Sequence, residues 1–296
     1  MKRNDFEYLI KLLKQNAGWD FDDGKYFIVD KKMYNLVRER GYTNVEDLIA
    51  DLKSGNKTLL WQAVESLAMS DTSFYRDYDV FKNFEAMILP YVKDTNRSTK
   101  RFRIWSLGCS SGQEAYSVAM AIRDKGSLFE GWKIEIVGTD ISTNSVAKAQ
   151  KGIYSQFEIQ MGLNAKSIID NFSSIEGGMW QAKKELMNMV EFRRYNVLEE
   201  LAFAERFDVI FCRNVLRFFD KEAQRRIIEK IYNHQVSSGF LILGVGEKIE
   251  GIEDFYEPIN GVRCIYKSRK AALKNHNPLK DPVKTDEMPS FVRPDI

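Results

Sequence analysis

The chain is poor in the residues that staple small folds or ligate metals. Its 296 residues hold three cysteines, Cys109, Cys212 and Cys264. They are far apart and odd in number, which excludes a disulfide framework and fits a reducing compartment. The two histidines, His234 and His276, make no Cys/His pattern with zinc-ligand spacing, so no metal is expected. No apolar run is long enough to span a bilayer. The N-terminal MKRNDFEYLIKLLKQ is interrupted by Asn4, Asp5 and Glu7 before a signal-peptide core can form. A cytoplasmic protein without direct membrane insertion is expected. Charge of one sign is missing too: 44 Lys plus Arg face 42 Asp plus Glu, a net +2. That argues against a general nucleic-acid binder and leaves room for a local basic patch. Four of the six prolines fall between 278 and 294, so 269–296 reads as a flexible tail.

What is present is ordinary globular material, 44% hydrophobic and 29% charged. Residues 1–90 show helical periodicity and no convincing strand. Phe6, Leu9, Ile10, Leu12 and Leu13 share a face, and KKMYNLVRER, NVEDLIADLK and TLLWQAVESLAM repeat the pattern. This predicts a small all-helical N-terminal domain. Pro90 and the polar stretch after it predict a linker over 91–100. From 101 to 268 strands and helices alternate, which predicts a doubly wound, mostly parallel α/β sheet. A break in the rhythm at about 155–190, containing Gly177 and Gly178, reads as an insert.

The chemistry gathers at three strand ends. FDVIFC, residues 207–212, is an apolar strand that runs into Arg213 and Asn214. SLGCSSGQEAYS, residues 106–117, is a glycine turn leading into a helix. With Gly108 and Gly112 but Ser110 between them, it lacks the full G-x-G-x-x-G dinucleotide pattern. It also matches G-x-S-x-G, a nucleophile elbow with Ser110, but neither histidine sits on a loop suited to complete a triad. A third reading is S-adenosylmethionine, which has no phosphate to cradle. Asp140, ending the strand WKIEIVGTD, would accept from both ribose hydroxyls, and Glu114 would help to position the ligand. Asp140 reads equally well as a helix N-cap. Arg76 reads as an ion-pair partner of Asp77 or Asp79.

Together DTSFYRD (71–77), SLGCSSGQEAYSVAM (106–120), GTDIS (138–142), KGIYS (151–155), FRRYNVL (192–198), FDVIFCRNVLRFFD (207–220) and FLILGVGEKIEGIEDFYEP (240–258) resemble, in order, the chemotaxis-receptor methyltransferases of the CheR type. The resemblance implies a helical N-terminal domain, an S-adenosylmethionine-dependent methyltransferase domain and a small inserted β-subdomain. It implies methylation of glutamate side chains on the cytoplasmic helices of chemoreceptors, giving γ-glutamyl methyl esters. Carried over by motif, Thr72, Arg76, Gly108, Glu114, Asp140, Asn196, Val197, Arg213 and Asn214 are cofactor-side residues. Arg76 and Arg213 are the catalytic candidates, with Arg76 orienting a carboxylate. Lys31, Lys32, Arg38 and Arg40, on one helix, would dock an acidic receptor helix, and a solvated basic face remains the alternative. A receptor C-terminal peptide could add to the insert, and a monomer is expected.

The chain departs from the family at several points. Ser70 stands where an asparagine is usual, and Gly244-Val245-Gly246-Glu247 replaces G-H-S-E. Phe218 stands where a tyrosine is thought to lie beside the transferred methyl. These changes keep a second reading open, a cofactor-binding scaffold or sensor with little activity.

Overall fold

The computed structural model describes residues 1–68, 71–200, 203 and 205–269. Four helices come first: α1 (Arg3–Ala17), α2 (Tyr26–Arg40), α3 (Val45–Lys53) and α4 (Lys57–Leu67). Each follows from local rules. Phe6, Leu9, Leu13 and Ala17 bury one stripe of α1, and Gly18 stops it in the left-handed conformation at φ 75°. Asn44 and Asn56 cap α3 and α4 by accepting from the backbone N–H groups of Asp47 and Leu59.

The helical stretch α5 (Tyr78–Asn83), a π-turn Phe84–Ile88 and α6 (Leu89–Thr95) comes next. It corrects the expected linker at 91–100. Leu89 and Val92 are buried in α6, and Asn96 just beyond it donates to the Arg101 carbonyl at 2.9 Å and to Asp208 at 2.8 Å. The polar residues of this stretch line the outer side of a helix whose inner side is fixed to the sheet. Val80, Phe81, Phe84 and Ile88 share a core with strand residues Phe102 and Phe211 rather than with α1–α4.

The main sheet contains β1 (Arg101–Leu107), β2 (Lys133–Asp140), β6 (Val190–Arg194), β7 (Phe207–Cys212), β8 (Gln235–Leu243), β9 (Tyr256–Pro258) and β10 (Ile265–Ser268), in the order β6-β2-β1-β7-β8-β10-β9. The first five run parallel, and β10 is antiparallel to both β8 and β9. Helices α7 (Gln113–Asp124), α8 (Thr143–Lys151) and α12 (Lys221–Asn233) connect strands. Between α8 and β6 lies a second sheet of β3 (Ile153–Ser155), β4 (Phe172–Ile175) and β5 (Met179–Ala182), antiparallel in the order β3-β5-β4. Short helices α9 (Gln156–Gln160), α10 (Ala165–Asn171) and α11 (Lys184–Met187) complete this insert.

Strand periodicity divides the interior into two cores. In β8, Leu241 and Leu243 face α1–α4 and α12, while Phe240 and Ile242 face α5 to α7. All six residues of β7 are buried, as a strand covered on both faces requires. Phe211 is fully buried against the rings of Phe81 and Phe84. Phe211→Ala is therefore expected to cost about 3–5 kcal/mol in chemical denaturation. Phe157→Ala in α9, at a side chain 70% exposed, should stay within about 0.5 kcal/mol.

Candidate active site

A cleft opens over the carboxyl ends of β1, β2 and β7, where open α/β sheets bind ligands. Its floor and walls include Gly108, Glu114, Asp140, Asn196, Val197, Arg213 and Asn214, with Thr72 and Arg76 at one side. With its open mouth it spans about 1020 Å³. All nine residues expected on the cofactor side thus line one cavity.

Arg213 braces the floor. Its side chain is 2% exposed. One terminal nitrogen donates to Glu114 at 3.0 Å, and the other donates to Asp77 at 2.7 Å and to the Arg76 carbonyl at 2.6 Å. Its guanidinium also lies 5.6 Å from the centre of the Phe81 ring. Glu114 is held from behind by the Ser106 hydroxyl at 2.7 Å. Arg213 therefore spends both terminal nitrogens on its own chain. Arg76 pairs with neither Asp77 nor Asp79. It donates to the Asp71 carbonyl at 2.7 Å and lies 3.5 Å from the Asp71 carboxylate.

Asp140 is not the cap of α8. Ser142 is, accepting from the Ser145 N–H. Asp140 accepts from the Ser110 N–H at 2.8 Å and the Ser142 N–H at 2.9 Å. Desolvation raises its pKa above the ordinary 3.8, with the two N–H donors opposing. Asn196 is buried and donates to the Asn16 carbonyl at 2.7 Å, which ties α1 to the cleft. The Val197 carbonyl accepts from Lys230 at 2.8 Å.

Backbone strain concentrates here. Tyr75, Asp77, Ser110 and Asn214 all have positive φ, from 47° to 61°. Arg76 sits between the first two, and Ser110 and Asn214 line the cleft. Left-handed non-glycine residues are uncommon and persist where surrounding structure holds them. Glu247 supplies that hold for Asn214: one carboxylate oxygen accepts from the Asn214 N–H and the Gly244 N–H, each at 2.8 Å. Gly108, at φ 71°, needs glycine for a second reason, since a Cβ there would come within 2.4 Å of Val215.

Several lining residues escaped the sequence reading. Trp19 and Phe21 reach in from the α1–α2 connection and stack at 5.8 Å, and Phe21 meets Phe218 edge-on at 6.4 Å. Their only sequence signal was a W-x-F pair just past the Gly18 helix stop. Of the docking candidates on α2, Lys31, Arg38 and Arg40 are exposed. Lys32 is a correction. It is partly buried, donates to the Ala68 carbonyl at 3.0 Å, and has a pKa lowered by desolvation. Nine residues from Lys31, Arg40 projects from the opposite side of the helix. Ser70 and His276 lie outside the described residues. No histidine lines the cleft beside Ser110 among the described residues.

An open sheet of parallel strands with a glycine turn after β1 and an acid ending β2 places the chain among the nucleoside-binding proteins of α/β type. The family described as "CheR methyltransferase, SAM binding domain" matches residues 70–265. The chain belongs to that family, and S-adenosylmethionine is its cofactor. It is 30% identical over 260 residues to chemotaxis protein methyltransferase 1 of Pseudomonas aeruginosa, covering 86% of this chain and 94% of the relative. Over 266 residues it is 31% identical to the chemotaxis protein methyltransferase of Vibrio anguillarum, covering 88% and 94%. The Escherichia coli chemotaxis protein methyltransferase is 30% identical over 255 residues, covering 84% and 85%.

The donor set fits this cofactor. Asp140 offers acceptors to a ribose, and Ile141 and Val197 offer apolar surface. Among the described residues the buried Asn214 Oδ1 has no donor, and a cofactor ammonium would supply one. Binding to Asp140 needs its ionised form. Because its pKa is raised, protonation sets in at higher pH than for an ordinary aspartate. Affinity should fall on acidification, starting at a higher pH than an ordinary aspartate would give. By the same shift, the ligand-free fold is favoured at acid pH and loses that contribution as pH rises through the raised value. Calorimetric titration of S-adenosylhomocysteine across this range checks the first point. Asp140→Asn should weaken binding about ten- to hundredfold and flatten the pH dependence.

Proposed function

We propose that the chain methylates glutamate side chains on the cytoplasmic helices of chemoreceptors and acts in the cytoplasm. The observation that carries this reading is the cleft itself, in which the residues of the family motifs converge on one cavity. Among the described residues no helix is long and apolar enough to cross a membrane.

Bound S-adenosylmethionine supplies a methyl already activated by a sulfonium. A glutamate carboxylate is ionised at neutral pH, so no general base is required. With a sulfonium as the leaving group and a carboxylate as the acceptor, the chain's own residues would need to hold or move no proton. The chain's task is to orient and dehydrate the reactants. Arg213 and Glu247 keep the cleft floor rigid. Arg76, beside Thr72, suits the cofactor's carboxylate. Trp19, Phe21 and Phe218 form a dry wall. Nothing in this chemistry calls on a phenol at 218, so Phe218 is compatible with turnover.

The receptor side is supported by α2. Phe27, Lys31, Tyr34 and Arg38 recur at helical spacing on one exposed face, with Phe27 82% and Tyr34 58% exposed. A mixed aromatic and basic stripe suits an amphipathic acidic helix. The contact from Lys32 to Ala68 ties α2 to the cleft rim, because Ala68 also lines the cavity. In the insert, β4 is an edge strand with Ser173 and Ser174 exposed, a place where a receptor C-terminal peptide could pair.

The test is transfer of a radiolabelled methyl to receptor-bearing membranes, with product released as methanol by mild base. Labelling that survives base would count against a glutamyl ester, and absence of labelling would favour the scaffold reading. Replacing Lys31 and Arg38 together by glutamate should lower receptor methylation about tenfold at low salt and leave S-adenosylhomocysteine affinity unchanged. Unaltered turnover of that double variant would sink the docking face.

A further inference from the structure

Among the described residues three cations line the cleft: Arg76, Arg213 and Arg217. The first two are engaged with acids of the chain, Asp71 for one and Asp77 and Glu114 for the other. Arg217 differs. Among the described residues it makes no ion pair and no side-chain hydrogen bond, and it is exposed. It is nevertheless not loose. Its guanidinium lies 5.1 Å from the centre of the Phe218 ring. That ring is set by Phe21, and the Phe218 carbonyl accepts from the Asp20 N–H at 2.7 Å. A guanidinium resting on a fixed aromatic face keeps all its N–H donors available in the plane. It also stands on the 3-10 turn Leu216–Phe218 just after β7, with Asp140 belonging to a different strand end.

We propose that Arg217, seated on Phe218, receives the acidic side chain of the protein substrate at the cleft mouth. This rests on the glutamate-methylation reading and adds to it the residue that selects a carboxylate. A guanidinium meets a carboxylate through two parallel hydrogen bonds. The pair is strongest while the carboxylate is charged, and esterification removes that charge. Arg217 therefore holds substrate and transition state about alike while the carboxylate keeps its charge, and it loosens its hold on the neutral ester. Removing it should raise KM for the protein substrate and spare kcat.

The full-length protein serves for the test. Arg217→Gln should raise KM for a receptor cytoplasmic fragment about ten- to hundredfold, with kcat within about twofold and S-adenosylhomocysteine affinity unchanged. Arg217→Lys should recover part of the loss, since a point charge remains but the fork is gone. A second readout does not depend on turnover: binding of a glutamate-rich helical peptide to the S-adenosylhomocysteine-loaded protein, followed by Trp fluorescence. The peptide should bind wild type and lose affinity with Arg217→Gln. Equal peptide binding by both proteins overturns the proposal. So does a Gln variant that loses cofactor and substrate affinity in parallel, which would assign Arg217 to the cofactor. If wild type binds the peptide in an Arg217-dependent way but transfers no methyl, the assignment of Arg217 stands and the glutamate-methylation reading falls.

Discussion

A buried guanidinium has few stable arrangements, and that of Arg213 governs this molecule. Moving the charge from water into the interior is costly unless acids and carbonyls surround it. Here Glu114 comes from the start of α7, and Asp77 and the Arg76 carbonyl come from the segment before α5. One side chain at the end of β7 thereby cross-links three stretches of chain far apart in sequence. Losing Arg213 itself would leave the Glu114 and Asp77 carboxylates without their shared cation, a penalty of about 3–5 kcal/mol. The left-handed Asp77 is held as part of the same knot.

The helices before the sheet are part of the site. Glu65 on α4 accepts from the Ser142 hydroxyl and the Thr143 N–H at the start of α8. Lys14 on α1 pairs with Asp220 at 2.8 Å, and Arg194 lies 4.7 Å from the centre of the Trp61 ring. These links seat α1 and α4 over the carboxyl edge of the sheet and bring Trp19 and Phe21 into the wall. A cavity over an open sheet has one side supplied by the fold. The opposite side must come from another layer, and here α1, α4 and their loops provide it.

Much of this was legible beforehand. The burial of β7, the glycine turn and the acid ending β2 follow from apolar runs and strand-end chemistry, which are local. The cofactor-side residues converge because each follows a strand or opens a helix at the same sheet edge. The failures share a cause. The stretch 91–100 looked like a linker because Lys93, Asp94 and Asn96 are polar, but polarity on one side of a helix does not exclude burial of Val92 on the other. Lys32 looked like a member of a basic face because charge says nothing about which carbonyl a long side chain can reach. Asp140 reads equally well as a cofactor-side acid and as a cap, and Ser142, two residues on, takes the role of cap.

The sequence by itself determined the alternation of strands and helices, the two-sided burial of the central strands, the family and its cofactor. These depend on side-chain period and motif order, which a linear chain carries intact. Tertiary structure decided which arginine is a brace and which stands open. Arg76, Arg213 and Arg217 are the same residue type near the same strand ends. Only the positions of Asp71, Asp77, Glu114 and the Phe218 ring distinguish them, because a guanidinium's role is set by the acids and rings within reach, and reach is a property of space.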